Sequence, residues 1–162
     1  MKNMENVGMA VITDVGNIKD IHPKNKQEVG RRLAMWALGD IYQKPDATDR
    51  EPVSGPIFKD FSVKGDTIVV NFDHIAKGLK IRSPQSELTH FMISGDDQEF
   101  FPASATIQGD SVVVSSSKVP QPVAVRFGWE DTAEPNLINS AGLPASPFRT
   151  DNFELLSEGV DH

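Results

Sequence analysis

The chain has 162 residues, 38% of them hydrophobic and 24% charged, and a formal net charge of -7. That length suits one ordinary domain, or one domain plus a piece of another, and the balance is that of a globular chain. No run of about 18 apolar residues spans a bilayer, no basic patch suits nucleic acid, and zero cysteines exclude disulfides and thiol chemistry.

At the N-terminus, "MKNMENVGMAVITDVG" has an apolar run too short for the centre of a secretory leader, so no export signal is visible. Within it, "GMAVIT" at 8–13 has the length of a buried strand and ends at Asp14. Next comes "DIHP", followed by "KNKQEVGRRLAMWALGDIYQK". There Val29, Leu33, Trp36, Ala37 and Ile41 share one helical face. Pro23 suits the first helical turn, and Lys44-Pro45 ends the helix. A helix of this kind is unstable alone, so Val29, Leu33 and Trp36 must dock on the rest of the chain, a second copy or another partner.

Residues 45–55, "PDATDREPVSG", have the composition of a linker. From 56 to 150 the apolar period becomes two. "IFKDFSV", "TIVVNF", "LTHFMISG" and "PVAVRFGW" read as strands, and "ATIQGDSVVVSS" as a hairpin about Gly109-Asp110. Short strands with frequent turn signals predict an antiparallel sandwich. Residues 151–162 read as a tail.

Chemistry concentrates at Asp20-Ile21-His22. A loop histidine before a helix, with a carboxylate fixing its tautomer, is half of a serine-hydrolase triad. The alternative is a helix start in which Asp20 caps and His22 is an exposed loop residue. A metal held by Asp14, Asp20 and His22 lacks a second nearby histidine, so no metal site or cofactor is expected. His74 and His90 fall in strand-like stretches and read as packing or surface residues, while His162 is terminal. The acids of "SGDDQEFF" suit a turn, and those of "GWEDTAEPN" suit a solvated loop or a calcium or sugar site.

Four blocks in order, "GMAVITDVGN", "DIHPKNKQEVGRRLA", "SGPIF" and "NLINSAGLPASPFRTD", resemble the C-terminal portion of sialate O-acetylesterases. These are carbohydrate esterases of the SGNH-hydrolase superfamily, and the resemblance runs from about Val7 to Asp151. It implies that His22 is the general base and acid, that Gly30 is the helix glycine, and that Asp20 is the triad acid, with Asp14 a rival. The usual superfamily acid lies three residues before the histidine, where this chain has Lys19. No Gly-x-Ser-Asn nucleophile block is present.

The expectation is therefore a mixed fold. Residues 1–44 are the closing strand, loop and helix of an α/β esterase domain, and 56–150 an accessory β-sandwich, mainly β overall. The function expected is a serine-type deacetylation of O-acetylated sugars, inactive in this chain alone. An N-terminal chain carrying the nucleophile is a candidate partner, as is a second copy docked through the helix. The resemblance also implies an exported, periplasmic or extracellular setting. The alternative is a non-catalytic carbohydrate-binding or interaction module. Substrate-binding residues are not identified.

Overall fold

The computed structural model describes residues 7–20, 22–42 and 52–154. Among them the chain is mainly β, with ten antiparallel strands against a single α-helix. One sheet holds β1 (Ile57–Lys64), β2 (Thr67–Asp73), β7 (Ser111–Ser115) and β6 (Ser104–Gln108), in the order β1-β2-β7-β6. The facing sheet holds β10 (Phe148–Arg149), β8 (Ala124–Phe127), β4 (Phe91–Ser94) and β5 (Phe100–Pro102), in the order β10-β8-β4-β5. The short strands β3 (Leu79–Ile81) and β9 (Leu137–Asn139) pair with each other.

Alternation places the core. Ile68, Val70 and Phe72 of β2 and Val112 and Val114 of β7 point inward, facing Phe91 and Ile93 of β4 and Val125 and Phe127 of β8. Each such side chain contributes about 1.5–3 kcal/mol by leaving water. The β6–β7 hairpin turns at Gly109, whose φ of +61° suits glycine, and its register pairs Gln108 with Ser111.

A clasp joins distant parts of the sandwich. Asn139 is fully buried, and its amide donates to the carbonyls of Ser54 and His74 while its oxygen accepts from the N–H groups of Ala141 and Leu143. Ser146 N–H donates to the Pro56 carbonyl at 2.9 Å. Gly55 presses against the Pro144 carbonyl so closely that a Cβ there would collide with it. The "SGPIF" and "NLINSAGLPASPFRTD" blocks thus touch each other across some 85 residues of chain. Pro52–Gly55, the end of the expected linker, is accordingly packed, while 43–51 lies outside the described residues. Asp151 is buried too, held by Arg126 at 2.8 Å, so the expected tail starts as part of the sandwich, and 155–162 lies outside the described residues.

The N-terminal part departs from expectation in three ways. Residues 7–12 form no strand, because no described neighbour offers a ladder of hydrogen bonds to them. Helix α1 (Lys26–Trp36) starts three residues beyond Pro23, with Asn25 as cap, its side chain accepting Glu28 N–H at 3.1 Å. A π-turn over Ala37–Ile41 then precedes Tyr42. Finally, the face that packs is that of Arg32 and Met35, while Leu33 is 51% exposed.

Replacing Asn139 by Ala leaves four backbone groups without these partners, two buried and two part-buried, at about 1–3 kcal/mol for each that water cannot reach. Asn139→Ala is expected to lower the urea midpoint by an amount equivalent to about 3 kcal/mol with little change in slope, read by chemical denaturation.

Candidate active site

The segment before α1 is held against the helix by two side chains. Arg32 is buried and makes a two-pronged ion pair with Asp14, at 2.6 and 2.7 Å, while its Nη1 also donates to the Val11 carbonyl. Its Nε donates to Glu28 at 2.8 Å, and Arg31 takes both Glu28 oxygens. One turn on, Trp36 Nε1 donates to the Met9 carbonyl at 2.8 Å. The Trp36 ring lies over Gly8, where a Cβ would strike it, and meets the His74 ring at 5.9 Å between centroids. His74 has a φ of +60°, a left-handed conformation whose carbonyl the Asn139 amide holds. Trp36 therefore docks on the sandwich, as the helix requires, whereas Leu33 does not.

With its base fixed, the loop to the helix turns tightly. Val15 and Gly16 N–H groups both reach the Ile12 carbonyl at 3.1 Å, and Asp20 N–H reaches that of Asn17 at 3.0 Å. Asp20 Oδ1 then accepts the His22 backbone N–H at 3.0 Å and lies 3.1 Å from His22 Nδ1. The His22 backbone N–H, and then its ring, hold the Asp20 carboxyl below the usual carboxylate range. An ionised carboxylate at Nδ1 favours the tautomer with its proton there, leaving Nε2 as the free acceptor. The His22 side chain is 77% exposed. Of the two candidate acids, Asp20 meets the histidine and Asp14 is committed to Arg32. Asp20 does not cap α1; Asn25 does.

A cleft of about 530 Å³ adjoins this loop. Met9 to Thr13 and Ile18 give it an apolar wall, Asp20 and Pro23 lie at its edge, and Asp131, Ala133, Glu134 and Pro147 of the sandwich close the far side. No serine lines it among the described residues. His90 sits at the start of β4 with a φ of +61°, its carbonyl accepting Gly128 N–H, away from the cleft lining. In the β4–β5 turn Asp97 serves the backbone, accepting Glu99 N–H at 3.2 Å. His162 lies outside the described residues, among which no cluster of three potential metal ligands exists.

Apolar periodicity does not single out Arg32, and the acids of "GWEDTAEPN", although they stand out in the sequence, carry nothing that places them opposite Asp20. The Glu28–Arg32 spacing of four was the available signal for the first. The placement of the second had none, since the wall lies far from Asp20 in the chain.

The fold and loop together define a mainly β chain that carries an acid–histidine pair on an N-terminal appendage. It superposes with a TM-score of 0.81, at 44% identity, on the crystal structure of a carbohydrate acetylesterase from Xanthomonas citri. The match covers 89% of this chain and 32% of that one, so the chain spans about a third of that enzyme's length. No protein-family profile and no curated protein matches it.

Two measurements check the site. Asp20→Ala should shift the His22 tautomer from Nδ1–H toward the Nε2–H form ordinarily favoured, read from long-range ¹H–¹⁵N couplings above neutral pH. Glu28 is held down to about 2, chiefly by the hydrogen bond from Arg31 with help from Arg32. A carboxyl depressed on folding stabilises fully above its unfolded value near 4.5 and loses that contribution as pH falls toward 2. Glu28→Gln should therefore be less stable than wild type at pH 6, with the gap closing by pH 2, as read from urea midpoints.

Proposed function

We propose that this chain forms the histidine-bearing part of a serine-type carbohydrate O-acetylesterase. The observation that carries the reading is the 3.1 Å approach of Asp20 Oδ1 to His22 Nδ1, which leaves Nε2 free on an exposed loop beside a cleft. The likeness to a carbohydrate acetylesterase supports the substrate class.

In this reading the serine comes from a second, N-terminal segment or chain, seated against the apolar wall of residues 9–13 and the exposed Leu33. His22 Nε2 takes the proton as the serine oxygen bonds to the acetyl carbon. It returns that proton to the sugar oxygen as the ester bond breaks, leaving an acetyl-enzyme. It then takes a proton from water as the water oxygen attacks the acetyl carbon, and gives it back to the serine as acetate leaves. Asp20 orients the ring and stabilises its charged form. The oxyanion donors also come from the second segment, each worth about 10²–10³ in rate. O-acetylated sialic acid is the substrate the resemblance names, and xylan-type acetyl esters fall within the same chemistry. An exported location suits such glycans. As an alternative, the exposed sandwich is a carbohydrate-binding module without catalysis, its motivation being that most of the described chain is sandwich.

The test is complementation. The chain alone should release no acetate above background from acetylated sugars. Adding the part of the Xanthomonas citri acetylesterase that this chain does not match should restore turnover, and His22→Ala should then cut it by about 10³-fold or more. Turnover by the chain alone would overturn the divided site. Restored turnover indifferent to His22→Ala would remove His22 from it.

A further inference from the structure

Trp129 is an exposed aromatic with a built setting. It is 42% exposed, while the Arg149 guanidinium packs over its ring at 5.8 Å. Arg149 is itself tethered: Nη1 donates to the Phe153 carbonyl at 3.1 Å and lies 3.7 Å from the fully buried carboxylate of Asp151. Asp151 also holds Arg126 through two hydrogen bonds of 2.8 Å, and Arg126 stacks at 4.0 Å over the Phe100 ring. Two ring–guanidinium stacks therefore hang from one buried carboxylate. A single exposed tryptophan is ordinary on a surface. One fixed by a charge network has little motion left to lose when something packs on it.

Its position adds to this. Trp129 precedes Asp131 by two residues and Arg149 follows Pro147 by two, and both Asp131 and Pro147 line the cleft beside Asp20. A Cβ on Gly128 would meet Pro135 and Pro147, so the chain before Trp129 runs close to the cleft residue Pro147. Charge selects among glycans. The two arginines are outnumbered by the carboxylates of Glu130, Asp131, Glu134 and Asp151, on a chain of net charge -7. An anionic saccharide is repelled here, whereas a neutral one offers C–H faces to the indole and hydroxyls to carboxylates and guanidinium N–H groups.

We propose that Trp129, backed by Arg149, is a sugar-stacking subsite at the cleft rim, and that the saccharide it takes is neutral rather than sialylated. It rests on the carbohydrate-esterase reading for its part in catalysis, though not for binding. A chain bearing the acetyl group at Asp20 and His22 would extend along the rim, and Trp129 would hold a sugar away from the reacting one.

Indole N–H signals in ¹H–¹⁵N spectra of the whole chain test it, since only Trp36 and Trp129 contribute them. Xylohexaose and its O-acetylated form are the neutral probes and oligosialic acid the anionic one. On adding either xylan probe the Trp129 signal should move and the Trp36 signal should stay. Calorimetry should show Trp129→Ala weakening binding about tenfold or more, with Val63→Ser on the opposite sheet binding as wild type. The proposal is overturned by a still Trp129 signal up to about 10 mM of both xylan probes, by a response to oligosialic acid alone, or by unchanged binding in Trp129→Ala. Should that variant misfold, the wild-type Trp129 signal decides. Failed complementation with a moving Trp129 signal counts against the esterase reading alone, and restored turnover with a still signal counts against this subsite alone.

Discussion

Arg32 holds the N-terminal appendage together. One guanidinium, buried within a helix, satisfies Asp14, Glu28 and the Val11 carbonyl at once. A buried ion pair of this kind adds little net stability over an apolar pair, but removing either partner strands a charge at a cost of about 3–5 kcal/mol. Its main effect is geometric. It sets where residues 9–14 run relative to α1, and the loop from Gly16 to His22 has both ends determined by that choice.

The sandwich then decides where this unit sits. Trp36 docks between Gly8 and His74, and the carbonyl of His74 is held by Asn139, whose side chain also closes on Ser54. A line of direct contacts therefore runs from the buried amide of Asn139 to the helix that follows the acid–histidine loop. The same arrangement brings the loop of Asp131 and Glu134 opposite Asp20 across a cleft, so a loop whose acids alone suggest a solvated turn or a calcium or sugar site becomes a wall of the candidate site.

Legibility followed physical length and period. The alternation in "TIVVNF" and "SVVVS" marks β2 and β7 because one face of each is fully buried and the other is not. Strands β3, β5, β9 and β10, of two or three residues each, are too short to show a period, and long-range pairing alone defines them. The helix was visible but its facing only in part, since Trp36 docks as its period predicts and Leu33 does not. Apolar periodicity points to Leu33, whereas ion pairing turns Arg32 inward and leaves Leu33 in solvent. The strand at 8–13 has the right composition, yet a strand exists only as one side of a ladder, and among the described residues none is beside it.

The sequence by itself determined the local features: the alternating strands of the sandwich, a helix after "DIHP", and the closeness of Asp20 to His22, which two residues of separation nearly guarantee. Tertiary structure alone decided that Asp14 is committed to Arg32, because the two are 18 residues apart and pair only once the chain has folded back. It also decided that the Arg149 guanidinium packs over the Trp129 ring. Contacts between distant residues depend on the register of whole elements, and one chain read in order carries no local trace of that register.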